Sequence, residues 1–336
     1  MRHALRSRPL SCALVVLLTL ALGLCAVSTG HAQSPINVAD HTGWNPWTTN
    51  GTTLLTDPLG DQQTGQGQDD FVGDSTYYGY AQKAGTLNGT DTFMFRARFN
   101  KFDGTNQWGG NGGNIGVGLD LDGNGSIDLV MVMVESSGNV NNRTRTVYFG
   151  SPGTGANTGP STTTWTIDTS GTAIKQTLTA YNGSNGGTAS YSLVQTTDGS
   201  AFGGTPDSWL TFAVSFQTLQ DAIRKYARDS NGNIGVNSIF ANWTVNYTTR
   251  ISFIGYTSTQ LNALNQDLFG TSGNNSSTLT WNQLGVSTPM QDAYGIVPEP
   301  ATYAQLGALL LAGTFVAYRR KRRATSASAL RSSTGA

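Results

Sequence analysis

Cysteine, histidine and glutamate are nearly missing from this chain. Its 336 residues include 2 Cys and 3 His. Cys12 and Cys25 both fall in the first apolar run, so the sequence from Gln33 onward has no disulfide and no thiolate metal site. His3 and His31 also precede Gln33, which leaves His41. A histidine metal cluster is therefore excluded. A Ser-His-Asp triad would have to use His41, and no Gly-x-Ser-x-Gly elbow accompanies it. His41 lies beside Trp44 and Trp47 and reads as a packed surface residue. Glutamate occurs at Glu135 and Glu299 only. Long exposed helices draw on Glu, Lys and Ala, so this composition points to strands and loops. The same shortage of acid/base side chains argues against an enzyme. A two-carboxylate glycosidase would depend on Glu135 and the aspartates, whose separation in space a sequence does not give.

Basic residues are scarce in the middle of the chain. Of 20 Lys and Arg, Arg2, Arg6 and Arg8 stand at the start, and Arg319, Arg320, Lys321, Arg322, Arg323 and Arg331 at the end. That leaves 11 against 20 acids between Gln33 and Tyr318, a net charge of −9. An acidic body lacks the basic stripe that nucleic acid requires and is compatible with divalent cations. What is abundant is aromatic and small. Seven Trp, 12 Tyr and 13 Phe are enough to build a packed core, and the 42 Gly follow no triplet repeat.

Both ends read as targeting segments. Three arginines, an apolar run from Leu10 to Val27, and small residues Gly30 and Ala32 before a cut predict a signal peptide over 1–32; a retained transmembrane helix is the alternative. At the other end, Pro298-Glu299-Pro300 precedes an apolar stretch from Ala301 to Tyr318 and five cations, Arg319 to Arg323. Eighteen residues make a helix of about 27 Å, enough to span a bilayer, and the cations place that end in the cytoplasm. Residues 297–323 resemble the PEP-CTERM sorting signal of Gram-negative bacteria. The resemblance implies that Pro298, Glu299 and Pro300 are recognised by an exosortase. It also implies an inner-membrane intermediate and delivery to the cell surface or extracellular matrix. A plain membrane anchor is the alternative, and the tail 324–336 is longer than the family usually carries.

The body alternates in period two. Ten strand candidates, from Thr92–Phe99 through Ile115–Leu119 and Asp128–Val134 to Arg250–Tyr256, are separated by Gly, Asn, Ser and Asp turns. One of the ten is Ser238–Tyr247. Two helices are expected. Thr218–Arg228 has Leu219, Ile223 and Tyr226 on one face, and a second runs from a cap at Ser258 or Thr259 to Gly270. The fold class predicted is mostly β, an antiparallel β-sandwich (jelly-roll-like) with two short helices over 33–270, a signal helix before it, and a linker over 271–296 leading to the transmembrane helix.

The aspartate loop Asp120-Leu121-Asp122-Gly123-Asn124-Gly125-Ser126-Ile127-Asp128 sets oxygens at alternate positions. Asp120, Asp122, Asn124, Ser126 (through its carbonyl) and Asp128 are the expected ligands of Ca²⁺, a hard ion that takes six to eight oxygens. Position 12 is Met131, which rules out an EF-hand; an ordinary Asp-Gly/Asn-Gly hairpin is the alternative. The loop resembles the calcium loops of FG-GAP-type repeats. Asp229–Asn233 reads as a turn. The first half, with Asp57-Pro58-Leu59-Gly60-Asp61, Asp69-Asp70-Phe71-Val72, Phe93–Phe99 and Ile115–Asp122, loosely resembles carbohydrate-binding sandwiches of the DOMON type. That resemblance would make Trp44, Trp47 and Trp108 glycan-stacking platforms, against the ordinary expectation that such rings are buried. The function expected is a non-catalytic exported surface or matrix protein, calcium-stabilised and associated with exopolysaccharide. A carbohydrate-binding module or a glycan hydrolase is the alternative.

Overall fold

The computed structural model describes residues 35–49, 53–62, 70–101, 113–136, 144–155, 157–159, 163–247, 249–264 and 267–270. The expected signal peptide, linker, sorting signal, transmembrane helix and tail lie outside them, as does Trp108. Among the described residues no helix is long and apolar enough to cross a membrane.

Two antiparallel sheets form the body. The first has five strands: β1 (Asn45–Pro46), β4 (Tyr80–Leu87), β5 (Thr90–Phe99), β12 (Ser208–Ser215) and β11 (Tyr191–Gln195), in that spatial order. The second has seven. Its order is β10 (Lys175–Leu178), β8 (Arg145–Pro152), β7 (Leu129–Glu135), β6 (Asn114–Asp120), β13 (Ser252–Ser258) and β14 (Asp267–Leu268), with β9 (Trp165–Ile167) also paired to β8. A small ribbon joins β2 (Thr48–Thr49) to β3 (Thr53–Leu54).

The β-sandwich-like arrangement follows from the residues that face between the sheets. Phe93, Phe95, Ala97 and Phe99 alternate along β5, and Leu210, Phe212 and Val214 along β12. Val117 and Leu119 of β6, Met131 and Met133 of β7, and Phe253 of β13 join them in one buried cluster. Phe95 meets Phe253 of the opposite sheet edge-on, with ring centroids 5.3 Å apart, and Phe212 of its own sheet at 5.6 Å. Trp47 stacks on Tyr80 at 4.0 Å and on Phe253 at 5.5 Å, closing one end. Aromatic pairs at these distances add about 0.5–1.5 kcal/mol beyond the area they bury.

The first expected helix is present as α1 (Phe216–Tyr226), two residues earlier than predicted. Ser215 caps it by accepting from the Thr218 backbone N–H at 3.0 Å, and Leu219, Ile223 and Tyr226 form the buried face as anticipated. The second expected helix is absent. β13 runs on to Ser258, whose hydroxyl accepts from the Gln260 N–H at 3.0 Å and turns the chain; the segment then returns as β14 against Tyr256 and Thr257. The strand expected over Ser238–Tyr247 is also overturned. Ser238 accepts from the Phe240 N–H at 3.1 Å, and Asp229 from the Ile239 N–H at 3.2 Å. These local side-chain bonds replace the ladder and leave Val236 and Ile239 exposed. β4 escaped the sequence analysis because Ala, Gly, Gln and Lys dilute its period.

Candidate metal centres

The Asp120 loop is held between two paired strands. β6 ends at Asp120 and β7 starts at Leu129, with Leu119 opposite Leu129. Gly123 and Gly125 adopt positive φ of 75° and 81°, the left-handed backbone that lets the loop curl back on itself. Both oxygens of Asp120 are then reached by backbone donors, Gly123 N–H at 2.7 Å and Gly125 N–H at 2.9 Å. Asp128 accepts from Leu121 N–H at 2.7 Å, Asp122 from Asn124 N–H at 3.1 Å, and Asn124 from Ser126 N–H at 2.7 Å. Ile127 is buried in one apolar cluster with the sheet residues Val130 and Ile254.

One oxygen from each of Asp120, Asp122 and Asp128 lies within 4.8 Å of the other two. Asp120 and Asp128 are buried, whereas Asp122 and Asn124 are exposed and Ser126 half-buried. Burial raises the Asp120 carboxyl, and the Asp122 charge adds to it. Burial likewise pushes Asp128 up to about 8, helped by the charges of Asp122 and Asp120. The structure thus gathers three of the five predicted ligands around one point. It also engages the side-chain oxygen of the fourth, Asn124, in the turn itself.

A second acidic group was not anticipated as a unit. Asp57, Asp61 and Asp267 also bring carboxylate oxygens within 4.8 Å of one another. Asp57 sits before the turn at Gly60 and pairs its backbone with Gly73, N–H to O at 2.8 Å and the reverse at 3.0 Å. Asp267 belongs to β14 and accepts from Phe71 N–H at 2.7 Å and Leu268 N–H at 2.7 Å. Gly270 N–H donates to Asp57 Oδ1 at 2.9 Å. Asp70 lies alongside, accepting from Gly60 N–H at 3.0 Å and Asn100 Nδ2 at 2.9 Å. Burial raises Asp57 well above the usual carboxylate range, and the charges of Asp267 and Asp61 raise it further. Burial, then Asp61, does the same to Asp267. Asp70 stands at about 6, again chiefly by burial. A signal for this group was present in Asp57-Pro58-Leu59-Gly60-Asp61, but its third member stands in a segment expected to be helical.

The proposed glycan platforms are corrected. Trp47 is 2% exposed and belongs to the core. Trp44 is 8% exposed, covered by the Arg96 guanidinium 3.9 Å above its ring, with its indole N–H on the Asp40 carbonyl at 2.9 Å. Neither offers a free face to a sugar. His41 is exposed, near Thr197 Oγ1 at 3.3 Å. Asp229 forms the expected turn, accepting from Asn231 and Asn233 N–H at 3.0 and 2.9 Å. Glu135 pairs with Arg145 at 2.6 Å, across β7 and β8.

Comparison with family models, curated proteins and solved structures finds no match to this chain.

Proposed function

We propose that this chain is a non-catalytic exported protein of the bacterial surface or extracellular matrix. A signal helix precedes its sandwich body, and a PEP-CTERM-like sorting segment with a transmembrane helix follows it. Pro298, Glu299 and Pro300 are read by an exosortase after the apolar span has entered the inner membrane. The body is stabilised by Ca²⁺ at Asp120, Asp122 and Asp128 and associates with exopolysaccharide.

One observation carries the calcium part: three carboxylates converge within 4.8 Å in the loop that joins β6 to β7. Oxygens so spaced suit a cation with ligand distances of about 2.3–2.6 Å. The ordered Pro-Glu-Pro, apolar span and arginine cluster support the sorting part. The chemistry of the body supports a structural role. Buried charges such as Glu135 and Asp207 face arginines across short distances, an arrangement that fixes strands. Intact-mass analysis of surface-extracted protein tests the sorting reading. Loss of the segment after about Pro300 is expected, and Arg319–Arg323 still attached in the surface form would leave simple anchoring. Retention of the extracted protein on an exopolysaccharide array tests the matrix association.

A further inference from the structure

The carboxylates of Asp57, Asp61 and Asp267 come from a loop turn and from the edge strand β14 and meet inside the protein. Asp57 is 1% exposed and Asp267 2% exposed. The strongest charges acting on Asp57 are the carboxylates of Asp267, Asp61 and Asp70. An acidic cluster alone is not a site, but Asp57 supplies a second observation. Its Oδ1 accepts from Gly270 N–H at 2.9 Å, whereas its Oδ2 is buried with no hydrogen-bond partner. A buried carboxylate oxygen left unpaired among like charges is costly, by desolvation and by repulsion. Gln62 Oε1 and Asn100 Oδ1 are also buried and unpartnered, on residues whose nitrogens both bind Asp70. The region therefore has a surplus of acceptors.

We propose that Asp57, Asp61 and Asp267 form a calcium site separate from the Asp120 loop, with the Asp57 Oδ2 as a direct ligand and Asp70 as a positioning residue that holds the Gly60 turn. Three oxygens up to 4.8 Å apart fit about an ion with ligand distances near 2.3–2.6 Å. The ion answers the orphan oxygen and the mutual repulsion together. It also has a mechanical consequence. Asp267 is in the last described strand, and Gly270 follows it, so the ion clamps β14 to the turn at Asp57, 213 positions earlier than Gly270. That fastening secures β14 and Gly270, the last of the described residues, to the Asp57 turn.

The test uses the purified full chain, stripped with EDTA and titrated calorimetrically with calcium chloride, magnesium chloride serving as the competing ion. Two variants separate the sites. Asp122→Ala disables the Asp120 loop and is expected to leave one calcium bound per chain. Asp57→Asn is expected to weaken that remaining ion at least tenfold. Asparagine retains the acceptor for Gly270 and removes the repulsion. In EDTA, Asp57→Asn should therefore melt higher than wild type, and calcium should raise its melting temperature less. Asp61→Asn, at the half-buried member, carries the same test if Asp57→Asn does not fold. If Asp57 and Asp61 are only architectural, both variants lower the melting temperature equally with and without calcium, and the proposal fails. It fails as well if the Asp122→Ala chain holds no calcium, whatever the outcome for the Asp120 loop.

Discussion

Asp207 and Asp57 are both excluded from solvent, yet the two regions answer their charges in opposite ways. Asp207 faces Arg98 at 3.4 Å and accepts from Phe202 N–H at 3.1 Å. Arg98 is fully buried and also pairs with Asp198 at 2.5 Å, bonds Ser200, and lies 4.1 Å from the Trp209 ring centroid. That corner carries its own cation. Around Asp57, the strongest charges are other aspartates. The Asp120 loop is intermediate, because backbone N–H groups surround its carboxylates. A buried arginine answers Asp207, whereas the three carboxylates at Asp57 meet one another, and the proposed external cation rests on that contrast. The comparison teaches that burial of acid is not itself a metal signal; the Asp57 group differs from the corner in that the strongest charges near it are like charges.

The largest effect should come from breaking the self-sufficient corner. Arg98→Met keeps the apolar stem and removes the charge, leaving Asp207 uncompensated. Removing one partner of a buried pair costs about 3–5 kcal/mol. Urea denaturation should show a loss of that size, identical in calcium and in EDTA. A loss under about 1 kcal/mol, or rescue by calcium, would erase the distinction between the two regions.

A smaller effect separates the proposed calcium sites from the corner. A ligand held only by the folded state adds about 2.7 kcal/mol at 100 times its dissociation constant. For a body of this size that is roughly 5–10 °C in melting temperature. Thermal melts of the wild-type chain in EDTA and in millimolar calcium should differ by at least that much. Asp122→Ala should remove the loop's share of the difference. Identical melts, with no calcium detected by elemental analysis, would leave the Asp120 loop an ordinary hairpin.

Within the loop, framework and ligand roles can be told apart. Asp120 accepts two backbone bonds and Asp122 one. Asp120→Ala should cost about 1–2 kcal/mol even without calcium, by analogy with lost caps. Asp122→Ala, at an exposed position, should cost little in EDTA. Equal losses in EDTA would show that both residues are merely turn formers.

The two acidic groups differ in legibility for the same reason that they differ in assembly. All five expected ligands of the first fall within nine consecutive residues, and spacing alone exposes them. The second depends on Asp267, whose neighbours Leu261, Leu264 and Leu268 mimic a helical face. The Phe71 N–H and the backbone edge of β13 at Tyr256 and Thr257 capture that segment as a strand instead. Long-range demand outweighed local period there, and the converse happened at Ser238–Tyr247, where Asp229 and Ser238 supplied local bonds that cancelled a period-two pattern. The central strands were readable because both patterns agreed: Phe93, Phe95 and Phe99 alternate and are buried. α1 was readable because its cap and its apolar face coincide. The tryptophans were not, since a ring counted as a platform or as core has the same letter. Only the position of Arg96 above Trp44 decides.

The smallest effect is a pH dependence at the corner, and its sign distinguishes the answered aspartates from the unanswered ones. Burial tends to raise Asp198, but hydrogen bonds from Arg98 and Ser200 outweigh it and draw the carboxyl down to about 2. The unfolded value is near 4, so between those values the unfolded chain binds more protons than the folded one. Stability from this group is then fully present above about pH 4 and is lost as pH falls toward 2. The side chain is 34% exposed, so solvent screening limits the contribution to below about 1 kcal/mol. Melts of the wild type in EDTA between pH 5 and pH 2.5, set against Asp198→Asn, should show a slightly steeper acid decline in the wild type. The variant starts lower and the two curves converge at the acid end. Parallel curves would mean that Arg98 is answered by Asp207 alone, and the corner would then hold a single buried pair flanked by a spectator.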